Sequence, residues 1–296
     1  MERNKRQEDH SKNQNHSSME SSPGFKLLRT LRGHTDAVNR IAWSPNGRWL
    51  ASPSLDETVR IWDPFTGEVI RVLEGHNSQV YSLAWSANSE EIASGSEDGR
   101  ILIWNVQHDT LPVTLDHHEG RIEALAWSPD GKIIASASAD STICLWSAPR
   151  FKRRRTFQGH RAWVNGVAWS PDSTRLVSGA EDNRVIVWNT SEPIYDLQAH
   201  TGWISDVNWS ADGRFIASAS HDKSIIIWDA ASGNLLHILE GHTDHIRQVA
   251  FSNDTRFLVS KAADQTIRIW DCSTWKTVAV LRQRVSHDYN PTPGFA

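Results

Sequence analysis

One set of polar side chains recurs six times along the chain. His34, Ser52, Asp56 and Trp62 stand at successive offsets of 18, 4 and 6 residues. The same offsets give a second set of His76, Ser94, Asp98 and Trp104, and a third of His118, Ser136, Asp140 and Trp146. The fourth is His160, Ser178, Asp182 and Trp188, the fifth His200, Ser218, Asp222 and Trp228, and the sixth His242, Ser260, Asp264 and Trp270. A serine, a histidine and an aspartate are the ingredients of nucleophilic acyl transfer, in which the carboxylate orients the imidazole and the imidazole takes the hydroxyl proton. A nucleophile is needed only once, however, and site geometry rather than residue type makes a triad. Six copies at fixed spacing describe a structural device. The donor and acceptor inventory suits one: aspartate accepts from histidine, histidine pairs with the serine hydroxyl, and the indole N–H needs an acceptor. No catalytic residue is assigned.

The elements that must position these residues are short strands. The six histidines are spaced by 42, 42, 42, 40 and 42 residues, and each is followed by its tryptophan after 28. The repeats align from LRGHTDAVNRIAWSPNGRWLASPSLDETVRIWD at Leu31 to LEGHTDHIRQVAFSNDTRFLVSKAADQTIRIWD at Leu239. Within each, apolar or β-branched runs such as Arg60-Ile61-Trp62 and Val185-Ile186-Val187-Trp188 alternate with turn formers. The turns include Ser-Pro-Asn-Gly at 44–47, Ser-Pro-Asp-Gly at 128–131 and Ser-Ala-Asp-Gly at 210–213. No stretch shows an amphipathic helical period of useful length. A four-stranded sheet of about 40 residues has two faces to bury, and radial stacking of such sheets covers both while protecting their edges.

With its GH and WD signatures at this period, the chain resembles the WD40-repeat family over roughly residues 25–283. The resemblance implies an all-β propeller of six four-stranded blades in a closed or nearly closed ring. Residues 1–24 and 284–296 are expected to be tails, the first of them polar and disordered. The resemblance also implies that each set of histidine, serine, aspartate and tryptophan is a buried hydrogen-bonded tetrad, and that the protein is a non-catalytic scaffold holding a protein or peptide on the top of the ring. Carried onto this chain, the top positions include Asn39, Tyr81, Arg121, Trp163, Asn165, Glu181, Trp203, His221, His245 and Arg247. Trp163 and Trp203 fall at equivalent positions of neighbouring blades, and Trp, Tyr and Arg are the types that dominate binding hot spots.

The repeats are similar to the regular arrays of bacterial and fungal signalling proteins, where TIR or NACHT-type domains are attached. A sensor role in such a system is the alternative function, and a propeller enzyme is a further one. A substrate receptor would need an F-box or similar segment, for which residues 1–24 are too short and too polar.

Blade closure has three readings. The segment Leu27-Leu28-Arg29-Thr30-Leu31 matches the outer strand of a blade, as does Thr277–Leu281, so seven outer strands accompany six repeats. The first segment completes the last blade, or the ring stays open like a seven-bladed one with a gap, or a partner donates the missing strands. The six-bladed ring is favoured.

Composition narrows the rest. Of 15 tryptophans, six belong to the tetrads, and Trp43, Trp85, Trp127, Trp169 and Trp209 recur at the end of the first strand, with Phe251 in the sixth copy. Large rings at a fixed phase are expected to form the core between blades. Trp49, Trp163, Trp203 and Trp275 fall outside the pattern. A formal net charge of −4 argues against non-specific binding to nucleic acid. The basic run Arg150-Phe151-Lys152-Arg153-Arg154-Arg155 reads as a solvated outer strand. His108, His117, His221, His237 and His245 have no metal-ligand spacing, and no phosphate-binding glycine motif occurs, so neither metal nor cofactor is expected. With two cysteines, no signal-peptide core and no membrane-length apolar segment, a cytoplasmic location is the expectation.

Overall fold

The structure, a computed structural model, describes residues 28–282, so the tails assigned to 1–24 and 284–296 lie outside the described residues. Among the described residues every regular element is a strand, and the 24 strands there form six antiparallel four-stranded sheets in sequence order. The blades span residues 42–73, 80–116, 122–158, 164–197, 204–239 and 246–282. The molecule is a six-bladed β-propeller, as expected. We refer to the strands of each blade as first, second, third and outer.

Blade 3 shows how the sequence folds locally. Its first strand, Ile122–Trp127, and second strand, Ile133–Ser138, are joined through Ser128-Pro129-Asp130-Gly131. The Ser128 hydroxyl donates to Asp130 Oδ1 at 2.7 Å and accepts from the Ile133 amide at 2.9 Å, while the Gly131 amide donates to the Ser128 carbonyl. Gly131 sits at φ +74°, a left-handed conformation that a residue without a Cβ adopts at little cost. The same pairing of a serine hydroxyl with a carboxylate or amide oxygen closes the turns at Ser44 and Asn46, Ser170 and Asp172, Ser210 and Asp212, and Ser252 and Asp254.

The core lies between blades. Five apolar clusters each join one blade to the next, from blades 1 and 2 to blades 5 and 6. Between blades 3 and 4, Ala135, Ile143 and Leu145 meet Val164, Val167, Trp169 and Leu176, all buried. Among the described residues no such cluster joins blade 6 to blade 1. There Val38 and Ile41 are exposed, and Trp43 is 54% exposed. The expectation that the end-of-strand rings form inter-blade core therefore holds for Trp85, Trp169 and Trp209, which are buried, and fails for Trp43, whose neighbouring blade does not cover it.

Two of the leftover rings also find places in the core: Trp49 stacks on Trp85 at 6.1 Å, and Trp275 packs edge-on against Phe215 at 5.3 Å.

The N-terminal segment does not complete the last blade. Blade 6 carries its own outer strand, Lys276–Arg282, paired with Thr266–Asp271. Residues 28–31 are in no sheet, and Arg29 donates to the Thr66 carbonyl of blade 1 at 2.9 Å.

Candidate functional site

The tetrads form as networks rather than reactive sites. In every blade the tryptophan indole donates to the serine hydroxyl. Trp62 reaches Ser52 at 2.8 Å, Trp104 reaches Ser94 at 2.7 Å, and Trp146 reaches Ser136 at 2.9 Å. Trp188 reaches Ser178 at 2.8 Å, and Trp228 and Trp270 reach Ser218 and Ser260 at 2.9 Å each. Each serine oxygen also faces a histidine Nε2. The distance is 2.7 Å for Ser52 and His34, 2.6 Å for Ser94 and His76, and 2.8 Å for Ser136 and His118. It is 2.7 Å for Ser178 and His160, 2.8 Å for Ser218 and His200, and 2.7 Å for Ser260 and His242. Where the histidine is neutral and its Nδ1–H donates to the aspartate, Nε2 is an acceptor, so the serine gives its proton to the ring and takes one from the indole. All six serines are buried, and so are Trp62, Trp104, Trp146, Trp188, Trp228 and Trp270. The hydroxyls are fully used and shielded from substrate, which removes Ser52, Ser94, Ser136, Ser178, Ser218 and Ser260 as nucleophiles.

Five of the six histidine–aspartate bonds are present: His34–Asp56 and His118–Asp140 at 2.8 Å, His160–Asp182 at 3.1 Å, His200–Asp222 at 2.7 Å and His242–Asp264 at 2.9 Å. Blade 2 departs from the expected pattern, and the tetrad expected there is a triad of His76, Ser94 and Trp104. His76 keeps Ser94, but Asp98 accepts from the Arg100 amide at 3.0 Å and makes no hydrogen bond to the ring. Two local differences accompany this.

The residue two beyond the aspartate is a hydroxyl in four blades: Thr58, Thr142, Ser224 and Thr266 each donate to the aspartate Oδ1 at 2.6–2.7 Å. In blade 2 it is Arg100, whose guanidinium is drawn to Asp116 at 4.0 Å, and in blade 4 it is Arg184, beside which His160 keeps its bond to Asp182. The residue between is Gly99, packed so close to blade 3 that a Cβ would stand 2.5 Å from the His118 carbonyl oxygen. This fifth, hydroxyl member of the network was missed at the sequence level. Its signal was the recurring Thr or Ser two residues after the aspartate.

Electrostatics follow the bonding. Burial would raise the carboxyls of Asp56, Asp140, Asp222 and Asp264, but the hydrogen bonds from their hydroxyl and histidine partners outweigh it and hold them well below the ordinary carboxylate range. His76, without its carboxylate bond, is pushed down to about 4 by burial, which the charge of Asp98 only partly opposes.

At one end of the central channel the first strands and the loops before the tetrad aspartates surround a cavity of about 380 Å³. Asn39, Tyr81, Asn165, His221, His245 and Arg247 line it, with Arg40, Glu123 and Lys261. Beside it the predicted residues gather into two groups. In the first, the Arg121 guanidinium lies 4.4 Å from the Tyr81 ring centre and 5.2 Å from that of Trp163, and is held by Glu123 at 2.6 Å. In the second, Trp203 lies 5.3 Å from His221, which stacks on His245 at 4.5 Å. Trp163 is 44% and Trp203 49% exposed. Glu181 stands between the groups in sequence; burial, with the nearby charge of Glu123, raises its carboxyl against an opposing hydrogen bond from Asn165.

Sequence reasoning missed the pair that braces this channel. Arg40 of blade 1 donates to Asp206 Oδ1 of blade 5 at 3.0 Å and to the carbonyls of Asn165 and Ser205 at 3.0 and 3.3 Å. Asp206 also accepts from the Val249 amide at 3.1 Å. Burial pushes its carboxyl above the ordinary value, and Arg40 works against that. The signal available was register: at this position the other blades carry Ser82, Ala124, Gly166 and Gln248, none of them charged.

The basic run lies mostly on the outer strand of blade 3, Lys152–Gln158, and its residues are largely exposed. Arg155 donates to the Ser191 carbonyl of blade 4 at 2.7 Å.

Comparison with known proteins agrees with this architecture. The family profile described as "WD domain, G-beta repeat" matches residues 25–63, 67–105, 110–147, 151–189, 191–229 and 233–271. Among curated proteins, a 51-residue stretch is 39% identical to the Notchless protein homolog of Arabidopsis thaliana, covering 17% of this chain and 11% of that protein. A 36-residue stretch is 58% identical to the probable cytosolic iron-sulfur protein assembly protein Ciao1 of Culex quinquefasciatus, covering 12% and 11%. A 39-residue stretch is 56% identical to the Protein HIRA homolog of Drosophila melanogaster, covering 13% and 4%. Each match is about one repeat long, and this chain covers about a tenth or less of each relative.

Proposed function

The chain belongs to the WD domain, G-beta repeat family, and from that premise we propose that it is an interaction scaffold that holds a protein or peptide at the channel end lined by Tyr81, Arg121, Trp163, Trp203, His221 and His245. Propellers of this family are generally non-catalytic and bind protein partners. One observation carries the assignment to this end of the ring: two half-exposed indoles, one of them facing an arginine that also lies over Tyr81, stand beside a cavity lined by Tyr81, His221 and His245. Exposed aromatic groups on a folded domain mark contact surfaces, and rigid rings lose little entropy when they are covered.

The charges favour an acidic group in the partner. Arg121 is matched by Glu123 and Arg40 by Asp206, while among the described residues Arg247 and Lys261 face the cavity without an ion-pair partner. A cytoplasmic location suits two cysteines that are both free, one buried and one half-buried. The test is affinity purification with the intact chain and with the Trp163→Ala/Trp203→Ala double variant, monitored beside their urea unfolding midpoints. Loss of the captured protein at an unchanged midpoint is the expected result; retention of it by the double variant refutes the assignment.

A further inference from the structure

The outer strand of blade 3 begins Lys152-Arg153-Arg154-Arg155, whereas no other outer strand carries more than two cations. With Arg150 and Arg161 these make six cations between Asp140 and Asp172, an interval that holds no acid. The fold itself does not require them. Blade 4 places Ile194-Tyr195 on the corresponding strand, and blade 5 places Leu235-Leu236-His237 there. Among the described residues no carboxylate forms an ion pair with Arg150 or with any of residues 152–155, all of which are exposed. The contrast with blade 1 is specific. Arg71 stands two residues before Leu73, as Arg155 stands two before Phe157, and it holds Asp109 in the hairpin of the next blade at 2.7 Å. Arg155 meets a backbone carbonyl there, that of Ser191, and no acid.

The cations stand on both sides of the blade. The strand pairs with Thr142–Ser147 through a register shift, in which Leu145 faces Arg155 and Trp146 faces Arg153, and Arg154 is the extra residue of a bulge. Arg153 donates to the Thr156 hydroxyl at 3.1 Å and meets the His117 ring. Thr156 in turn lies 3.3 Å from Cys144, a member of the apolar cluster shared with blade 2. Arg154 and Arg155 instead line a hollow of about 240 Å³ with Thr190 and Ser191 of blade 4. Its floor is Ile133 and Leu145, which belong to the cluster shared with blade 4. Between the two sides runs an open edge. This strand is the last in its sheet, so among the described residues its outward N–H and C=O groups pair with no other strand.

We propose that the outer edge of blade 3 is a docking site for an extended acidic segment of a partner protein, which adds to Lys152–Gln158 as a further strand and sets carboxylates on both sides of the blade. The two-sided placement of charge favours this occupant. Successive side chains of a strand point to opposite faces of its sheet, so consecutive Asp and Glu residues of an added strand reach Arg153 on one side and Arg154 and Arg155 on the other. A bilayer surface or a single phosphate meets one side only. Main-chain bonds supply the affinity, and the charges supply the selectivity. The same charges turn away a second copy of this strand, because like charges placed opposite each other destabilise a strand pair. The hollow offers a carboxylate the place beside Arg155 that Asp109 holds beside Arg71. The contact uses neither Trp163 nor Trp203, so it stands or falls apart from the channel-end site.

The experiment titrates the full chain with the synthetic peptide acetyl-Thr-Val-Glu-Glu-Glu-Glu-Val-Thr-amide, followed by calorimetry and amide hydrogen exchange. We expect one-to-one binding and slowed exchange within residues 152–158. The Lys152→Glu/Arg154→Glu variant, changed at two exposed positions, should bind the peptide about tenfold more weakly at an unchanged Tm. A peptide N-methylated throughout its glutamate run keeps the charges but loses the strand bonds, and its binding should also weaken by about tenfold. The Trp163→Ala/Trp203→Ala variant should bind the parent peptide unchanged. The proposal is overturned if the N-methylated peptide binds as tightly as its parent, or if Lys152→Glu/Arg154→Glu binds as well as the unaltered chain. It is also overturned if residues 152–158 exchange slowly without peptide, or if vesicles of phosphatidylserine in phosphatidylcholine protect those amides and the peptide does not.

Discussion

Removing the tetrad carboxylate should destabilise blade 3 far more than blade 2, because the two aspartates hold different numbers of partners. Asp140 accepts from His118 Nδ1 at 2.8 Å, the Glu119 amide at 3.1 Å, the Thr142 amide at 2.9 Å and the Thr142 hydroxyl at 2.7 Å. Asp98 accepts from the Arg100 amide. A hydrogen bond to a charged group contributes about 1.5–3 kcal/mol, and stranding buried donors such as the His118 Nδ1–H adds the desolvation loss of each. The four bonds are not additive, so the known range for breaking a buried ionic contact, about 3–5 kcal/mol, bounds Asp140→Ala. One exposed turn bond places Asp98→Ala near 1 kcal/mol. For a propeller of this size each kcal/mol moves the Tm by roughly 2–4 °C, so Asp140→Ala should fall by about 10 °C and Asp98→Ala by about 3 °C. Differential scanning calorimetry on the two variants decides it. Equal shifts would refute the partner-counting argument, and no shift in Asp140→Ala would refute the structural role of the tetrad.

Other consequences can be measured on the same preparation. Arg40→Met leaves the buried Asp206 carboxylate without its guanidinium, and should lower unfolding stability by about 3–5 kcal/mol, with Asp206→Asn added in the double variant restoring part of the loss. His76 has a folded value of about 4 against 6.5 when free, so the folded state binds the proton more weakly. Its contribution is fully present above pH 6.5 and is lost as the pH falls toward 4, amounting to about 2 kcal/mol at pH 5. Urea midpoints at pH 7.5 and 5 should therefore converge in His76→Asn relative to the unaltered chain. The depressed tetrad aspartates act lower: their stability is present above about pH 4 and disappears as the pH drops further, which should make acid unfolding steep below that point and shift its midpoint upward in Thr142→Val. Replacing Trp163 and Trp203 by alanine should leave the Tm within about 2 °C, since both rings are half-exposed.

The fold was legible because a repeat states its constraints many times. The offsets between histidine, serine, aspartate and tryptophan, the serine-led turns and the alternating apolar runs each recur, so one reading is checked by five others. The bonds of Ser136 to Trp146, Ser178 to Trp188, Ser218 to Trp228 and Ser260 to Trp270 lie where those offsets place them. The exceptions lie where local pattern is silent about neighbours. Asp98 satisfies the spacing yet misses His76; Arg184 stands at the Arg100 position in blade 4 without loss of the His160–Asp182 bond, so what sets blade 2 apart is Gly99, packed against the carbonyl of another blade. Trp43 has the phase of a core ring yet lies exposed, because burial between blades needs the next blade to arrive.

What the sequence determined by itself was the blade: strand order, turn chemistry and the buried polar network all depend on residues within about 40 positions of one another, which the repeat prints in full. What only the tertiary structure decided was how the blades meet. Arg40 and Asp206 are 166 positions apart and pair across the channel; Tyr81, Arg121 and Trp163 come from three blades and form one cluster; Lys261 and Val38 leave the sixth junction uncovered. These contacts depend on the angle between blades, a quantity set by the sum of all the packed junctions, and no local spacing encodes it.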